Sequence, residues 1–402
     1  MADFFQNGVI TTLHKLTDYP AEQLEEEILQ YARRRPIALI LPSLYSEIQG
    51  QALPRIIEEL KHVPYLSEIV VGLDRATKEE FEKAKEFFAQ LPQNVKVIWQ
   101  RSPRIQDLYD LLDKNNLYIG TEGKGRNVWL CMGYLIASNT SRVFAIHDCD
   151  ILTYNRSLLD RLVYPVTNPT LNFRFAKGYY SRVSDRMHGR VSRLFITPLI
   201  RSLKKILGTN DYLDYIDSFR YPLSGEMAMI RDVAVRLRLP TDWGLEIGTL
   251  NEIYRNYAKN QICQVDIIDR YDHKHQTLSE DNPNAGLAKM SIDIAKSFYR
   301  MLASMGVVFS DQFFRTIKAT YLRTALDFLD KYYVDAMLNG LKYDRHSEEK
   351  TIEVFLKSII IAGDQFLANP MELPMIPGWT RIESALPDFM PTLKQVVDEE
   401  NK

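Results

Sequence analysis

The ten residues RVFAIHDCDI (residues 142–151) join an apolar run to two carboxylates that stand one residue apart. The apolar half has the length and composition of a buried strand. If the strand continued through the motif, Asp148 and Asp150 would point to the same side, because side chains alternate along a strand. Two carboxylates that close repel each other unless a cation is present. On its own, the stretch fits a metal and nucleotide-diphosphate site and a plain polar turn equally well.

Similar apolar runs lie on both sides of this stretch, with helix-like segments between them. This alternation predicts an α/β fold with a mostly parallel sheet covered on both faces. Such sheets bind ligands at the carboxyl ends of their strands, so we expect Ser43 to Glu47, Asp74 with Arg75, and Asp148 to Asp150 around one site. The predicted strands are IALILPSL (37–44), EIVVGL (68–73), VKVIWQ (95–100), LNFRFAKGYYSR (171–182) and QICQVDI (261–267).

The last third of the chain has a helical pattern. From about residue 285 onward, apolar residues such as Met290, Ile294 and Phe298 recur at three- and four-residue spacing. The turn-rich stretch SEDNPNAG (279–286) is the best boundary. The sequence therefore predicts an α/β domain over residues 1–280 and an all-helical part over residues 281–402.

Composition limits the classes of function. The 402 residues carry a net charge of −2, which gives no global basic field for nucleic acid or anionic membranes. Three cysteines without metal-site spacing fit a reducing compartment. No signal peptide and no run of about 20 apolar residues is present, so we expect a cytoplasmic protein without stable membrane insertion. The amphipathic PLIRSLKKILG (198–208) is expected to be a core-facing helix.

Two glycine-containing motifs precede helix-like runs. Gly123-Lys124-Gly125 comes before NVWLCMGYLIA, where glycines let the backbone approach a ligand and Lys124 offers a charge for phosphate. The motif alone is also explained by an ordinary turn with a solvated lysine. The block LSGE, which ends at Glu226, comes before MAMIRDVAVRL, which has the pattern of a helix.

Further polar clusters follow in the second half of the α/β part. Asp242 and Glu246 would share a helix face, although capping explains Asp242 as well. Arg190 with a neighbouring glycine and serine would make an anion site, and a solvated basic face is the alternative. His273 and His275 follow the last strand and could complete a metal site or lie in an exposed loop.

The order of these blocks is more specific than any one of them. LPSLYSE, GKGRNVW, IHDCDI, FRFAKGYYSR, GRVSRLFITPL, YPLSGEMAM, DWGLEIGTL and RYDHKH together resemble the retaining glucosyl-3-phosphoglycerate synthases, a GT-A glycosyltransferase family. The resemblance runs from about residue 37 to residue 275, and the layout also resembles the mannosylglycerate synthases. It implies a GT-A (Rossmann-like) fold and transfer of glucose from UDP-glucose or a similar donor to 3-phosphoglycerate. It also favours a homodimer.

The resemblance implies roles for individual residues. A divalent cation, Mg²⁺ or Mn²⁺, would bind Asp150 and His273. Glu246 would be the carboxylate beside the sugar, orienting the sugar or the acceptor, with Asp242 and Glu226 as further catalytic candidates. The donor-binding residues would be Pro42, Ser43, Glu47, Asp74, Gly123, Lys124 and Asp148. The acceptor-binding residues would be Gly189, Arg190, Ser192 and His275.

Three other functions remain open from the sequence. One is mannosyl transfer from GDP-mannose to glycerate or 3-phosphoglycerate. The second is a sugar nucleotidyltransferase, which also combines an α/β sheet with an acidic metal site and would release pyrophosphate. The third is a non-catalytic binding protein with a vestigial site, against which the intact motifs argue.

Overall fold

A computed structural model of the chain describes residues 4–6, 8–272, 286–371 and 375–402. Within these ranges the strands form one sheet in the order β1-β8-β6-β7-β5-β2-β3-β4. All neighbouring pairs are parallel except those that β7 makes with β5 and β6, so the predicted mostly parallel α/β sheet is confirmed. The strands are β1 (Thr11–Leu13), β2 (Ile37–Leu44), β3 (Leu66–Asp74), β4 (Asn94–Trp99), β5 (Val143–Ile146), β6 (Phe175–Tyr180), β7 (Met227–Ile230) and β8 (Ile262–Ile268).

Both faces of the sheet are buried. Along β2, Ala38 and Ile40 belong to one apolar cluster, whereas Ile37, Leu39 and Leu41 belong to the other. This alternation follows from the two-residue period of a strand and explains why β2 reads as a continuous apolar run. The chain places β3 and β4 on one side of β2 and then returns to place β5 on the other. The resulting switch point between β2 and β5 is where open α/β sheets bind ligands.

Helices surround the sheet and make up the C-terminal third. In the α/β part they are α1 (Ala21–Ala32), α2 (Tyr45–Ile48), α3 (Ala52–Leu60), α4 (Lys78–Phe88), α5 (Pro103–Lys114), α6 (Lys124–Ser138), α7 (Arg156–Thr167), α8 (Thr197–Leu207), α9 (Asp211–Asp217), α10 (Arg231–Arg236) and α11 (Leu245–Asn256). They are followed by α12 (Gly286–Ser304), α13 (Asp311–Leu338), α14 (Arg345–Ala368), α15 (Trp379–Ala385) and α16 (Phe389–Glu400), as the helical pattern predicted.

Two expectations about strands are wrong. β5 ends at Ile146, and the residues from His147 to Asp150 form an irregular turn, so the alternation of a strand does not set the direction of the two carboxylates. The stretch predicted as one helix from Met227 onward instead begins with strand β7, which is inserted between β5 and β6. A four-residue buried strand cannot be distinguished from a buried helix turn by periodicity alone.

The amphipathic segment 198–208 is a core-facing helix, as predicted. Helix α8 buries Leu199, Ile200 and Leu203, and it packs against α13. Its basic side chains have partners in the fold: Lys204 pairs with Asp214 at 2.6 Å. Over the described ranges, no helix has the length and apolar character required to cross a bilayer.

The C-terminal helices α15 and α16 pack against α6. The rings of Trp129 in α6 and Trp379 in α15 stack with centroids 4.0 Å apart, and the indole of Trp129 donates to the Pro377 carbonyl at 3.0 Å. Tyr134 of α6 donates to Asp398 of α16 at 2.9 Å. One apolar cluster therefore runs from the sheet into the C-terminal helices. The division at residue 280 stays a proposal, because the predicted boundary, apart from Gly286, lies outside the described residues.

Gly133 provides a test of this packing. A Cβ at this position would lie 2.2 Å from the Trp379 ring. Glycine to alanine in a helix normally stabilises by up to about 1 kcal/mol. We instead expect Gly133→Ala to lower the free energy of unfolding by about 1–3 kcal/mol through overpacking. Chemical denaturation measures the difference, with Ser138→Ala at the end of the same helix as the control; a stabilised Gly133→Ala variant would contradict the packing of α15 on α6.

Candidate active site

A cavity of about 1520 Å³ opens at the carboxyl ends of β2, β3 and β5. Its wall combines loops from the α/β part with residues of α11, α12 and α14. Most residues that the sequence analysis assigned to a site line this one cavity. They are Pro42, Ser43, Glu47, Asp74, Gly123, Lys124, Asp148, Asp150, Gly189, Arg190, Asp242 and Glu246.

Lys124 is the central cation of this wall. Its ammonium lies 2.7 Å from the Asp148 carboxylate and 3.2 Å from that of Glu246. Burial disfavours the charged form of the lysine, but the two carboxylates outweigh that effect and raise the pKa of Lys124. Lys124 is therefore a permanent positive charge that joins the start of α6, the turn after β5 and the start of α11.

The backbone around Asp148 is shaped for close approach. A Cβ on Gly225 would lie 2.4 Å from Oδ2 of Asp148, so only glycine fits beside this carboxylate. The next residue, Glu226, is fully buried and accepts hydrogen bonds from Tyr180 at 2.8 Å and Tyr271 at 2.7 Å. Burial, and then the nearby charge of Asp148, raise the pKa of Glu226. The LSGE block thus packs directly against the turn that contains Asp148.

The donor set suits a hard divalent cation. Asp148 and Asp150 both present carboxylates at the cavity wall, and oxygen ligands are those that Mg²⁺ and Mn²⁺ prefer. Over the described part of the chain, no group of three or more His, Cys, Asp or Glu residues forms a complete metal cage. A cation that keeps waters and binds substrate phosphates needs only one or two protein carboxylates, so these residues fit it. The predicted ligand His273 lies outside the described residues.

Asp74 and Glu122 form a second acidic pair on the cavity wall. Arg101 donates two hydrogen bonds to Glu122, at 2.7 and 2.9 Å, and this contact lowers the pKa of Glu122 to about 2. Burial, followed by a hydrogen bond with Glu122, raises the pKa of Asp74 to about 6. Below that pH, a protonated Asp74 donates to the ionised Glu122, and above it two like charges face each other.

Another part of the cavity wall contains an arginine that is held by the C-terminal helix α14. Gly189 adopts a left-handed conformation with φ of 71° just before Arg190. The Arg190 guanidinium donates to Glu348 and to Ser347, each at 3.0 Å, and both residues belong to α14. The predicted acceptor residue therefore lies at a junction between the α/β part and the helical part.

Comparison with known proteins identifies the family. The chain is 48% identical, over 401 residues, to a glucosyl-3-phosphoglycerate synthase from Persephonella marina, covering 100% of this chain and 99% of that protein. It is 41% identical to the synthase from Methanococcoides burtonii, over 96% of this chain and 95% of that protein. The chain belongs to the glucosyl-3-phosphoglycerate synthase family. A scan against family models gave no match.

Solved structures of the family share the fold. The glucosyl-3-phosphoglycerate synthase from Mycobacterium tuberculosis in complex with phosphoglyceric acid has a TM-score of 0.54 to this chain at 20% sequence identity, covering 75% of this chain and 90% of that chain. The same enzyme in complex with Mn²⁺, UDP-glucose and phosphoglyceric acid also has a TM-score of 0.54, at 20% identity, covering 75% of this chain and 89% of that chain. The GT-A fold expected from the sequence blocks is thus confirmed.

Three of the residues that were predicted to act in the site have surroundings that the sequence did not predict. Asp242 precedes α11 and caps the Gly244 amide at 2.8 Å, so it does not share a helix face with Glu246, although both line the cavity. Ser192 is buried in a π-helical turn (Val191–Ile196), and neither it nor Glu226 is among the lining residues. The acceptor-binding role of Ser192 and the catalytic role of Glu226 stay predictions.

Several residues of the site were not predicted from the sequence. Glu122 stands two positions before Lys124, next to a motif that had been recognised, and this proximity was the available signal. Ser347 and Glu348 lie more than 150 positions after Arg190, in a segment that shows only helical periodicity. Contacts between residues so far apart in the chain cannot be predicted from a single sequence. His275, like His273, lies outside the described residues.

The Asp74–Glu122 pair predicts a dependence of stability on pH. Because the pKa of Asp74 is raised in the folded state, its protonated form stabilises the fold, and this contribution is lost as the pH rises from about 4 through about 6. Asp74→Asn keeps a neutral donor for Glu122 at every pH. We expect the melting temperature of this variant to exceed that of the natural protein above pH 6 and to converge with it near pH 4.

Thermal melts over pH 4 to 8 measure this gap, with Asp110→Asn on the exposed face of α5 as the control. A constant difference between the Asp74→Asn variant and the natural protein across that range would show that Asp74 ionises normally.

Proposed function

We propose that this protein is a metal-dependent retaining glucosyltransferase that moves glucose from UDP-glucose to 3-phosphoglycerate. One observation carries the proposal: a single cavity is lined both by a cation and two carboxylates, which suit a metal-bound diphosphate, and by an anchored arginine, which suits an anionic acceptor. The family membership supports the same reaction, and the Mycobacterium tuberculosis relative is seen with Mn²⁺, UDP-glucose and phosphoglyceric acid.

Cleavage of the bond between the sugar and the diphosphate develops negative charge on the leaving oxygen. Lys124 is charged and fixed in place by Asp148 and Glu246, so it needs little reorganisation to stabilise that charge. A divalent cation held by Asp150, with Asp148 beside it, would act as a Lewis acid on the same phosphates. The proposed donor residues Pro42, Ser43, Glu47 and Asp74 lie on the wall that leads away from this point.

The acceptor end must hold an anion and aim a hydroxyl group. Arg190 supplies a planar guanidinium that can bind a phosphate or carboxylate through two hydrogen bonds. Glu246 lies 3.2 Å from Lys124 on the cavity wall and is proposed to orient the sugar or the acceptor hydroxyl. Fixing the two substrates in one cavity converts a bimolecular encounter into an oriented reaction.

We infer that catalysis takes place in the cytoplasm. The three cysteines, Cys131, Cys149 and Cys263, are buried free thiols, which fits a reducing compartment. Residues 1–280 are proposed as the domain that binds both substrates, with residues 281–402 as a helical part that completes the acceptor side. A homodimer stays a prediction from the resemblance.

A substrate screen tests the reaction. Purified protein is incubated with UDP-, ADP- and GDP-glucose and GDP-mannose against 3-phosphoglycerate and glycerate, and the nucleotide product is identified. We expect glucosyl-3-phosphoglycerate and a nucleoside diphosphate from UDP-glucose. Turnover of GDP-mannose alone would favour the mannosyltransferase, and release of pyrophosphate would favour a nucleotidyltransferase.

Metal removal and one substitution test the proposed cation site. Chelation with EDTA is expected to abolish turnover, and Mg²⁺ or Mn²⁺ to restore it. Asp150→Ala should lower kcat/KM at least about 100-fold, because a metal that polarises the leaving phosphate is worth several kcal/mol. Asp110→Ala, on an exposed helix face, is the matched control. Full activity of Asp150→Ala would remove Asp150 from the metal site.

A further inference from the structure

Arg190 is held along one edge of its guanidinium by the C-terminal helices. Nε donates to Oε1 of Glu348 and Nη2 donates to Oγ of Ser347, each at 3.0 Å. These two nitrogens form the lateral edge of the planar group. Nη1, together with the second hydrogen of Nη2, forms the terminal edge, which is the other position at which a guanidinium binds an oxyanion through two parallel bonds.

Glu348 shares its carboxylate between two arginines. Arg193 donates from Nη1 to Glu348 at 3.0 Å and from Nε to the His188 carbonyl at 2.9 Å. Its guanidinium also packs 5.0 Å from the centre of the Tyr332 ring. Arg193 is thus occupied on all sides by the protein, whereas Arg190 lines the cavity.

The charges around this carboxylate do not cancel. Two guanidiniums and one carboxylate leave one positive charge, and the Glu348 side chain is only 7% exposed. Removal of a buried carboxylate leaves its partners misplaced and unsatisfied. A carboxylate that merely neutralised the site would oppose anion binding, whereas one that orients Arg190 would promote it. These two roles predict opposite effects on acceptor binding.

We propose that Glu348 and Ser347 are positioning residues that hold the lateral edge of Arg190, so that its terminal edge faces the cavity and binds an anionic group of the acceptor. The proposal rests on the proposed function and adds to it a role for α14 in acceptor recognition. The anion is the phosphate or the carboxylate of the acceptor, since both present two oxygens to a guanidinium.

Steady-state kinetics of two variants test the proposal. Glu348→Gln and Ser347→Ala are expected to raise the KM for 3-phosphoglycerate, by roughly 10-fold or more and by a few fold respectively, as for hydrogen bonds to charged groups. The KM for the sugar nucleotide should stay within about twofold. Glu349→Gln is the matched control, because the neighbouring Glu349 pairs with Arg345 on the exposed face of α14.

The outcomes separate the two roles. An unchanged or lower acceptor KM in both variants, or an equal rise in the KM values of both substrates, would overturn the positioning role. Ser347→Ala removes one hydroxyl group without changing a charge, so it keeps the test valid if Glu348→Gln fails to fold. If the natural protein shows no turnover, the proposed function fails; if it turns over and the variants match it, only this inference fails.

Inhibition by two acceptor fragments identifies the anion. Glycerol 3-phosphate has the phosphate and lacks the carboxylate, and glycerate has the reverse. If Arg190 binds the phosphate, Ser347→Ala will weaken inhibition by glycerol 3-phosphate and leave that by glycerate unchanged; if it binds the carboxylate, the pattern will be reversed. Either pattern supports the proposal, and equal inhibition of the variant and the natural protein by both fragments contradicts it.

Discussion

The ion pairs of Lys124 with Asp148 and Glu246 fix the geometry on which the rest of the site depends. They join three segments that are far apart in the chain: the start of α6, the turn after β5 and the start of α11. Each of these segments is anchored in the core behind it, for example by the Trp129–Trp379 stack beneath α6. The Lys124 side chain is 35% exposed at the cavity wall, so its two carboxylates act mainly by holding the ammonium in position.

The proposed acceptor side also contains a charged junction, in which the signs are reversed. There a carboxylate, Glu348, joins two arginines and links α14 to the turn that precedes α8. Both charged junctions line one cavity. The junction at Lys124 has one ammonium against two carboxylates, so it suits a diphosphate only together with a divalent cation, whereas the junction at Glu348 has one positive charge in excess and attracts an anion directly.

The sequence predicted the sheet and many of the residues that line the cavity, for identifiable reasons. Strands β2, β3 and β5 are apolar runs bounded by turns. Asp74 is the last residue of β3 and Asp148 lies two residues after β5, so the rule on strand ends placed both at the cavity. β7 was missed because four buried residues carry too little periodic signal. The direction of Asp150 could not be derived, since β5 ends earlier than its apolar run suggested.

The acceptor side was predictable only in part. Gly189 and Arg190 stood in a recognisable block, but their partners in α14 depend on how the C-terminal helices fold back over the sheet. This packing is set by non-local contacts such as that of Trp379 against Gly133. A single sequence contains the residues that make such contacts, but it does not show which of them lie close together in the fold.

The most direct test of the central claim is a crystal structure with Mn²⁺ and UDP-glucose bound, in which anomalous scattering locates the metal. The account predicts a manganese peak at about 2.1 Å from a carboxylate oxygen of Asp150, with the Lys124 ammonium in hydrogen-bonding distance of the diphosphate. A manganese peak away from the Asp148–Asp150 turn, or a diphosphate bound at the Arg190 end of the cavity, would contradict it.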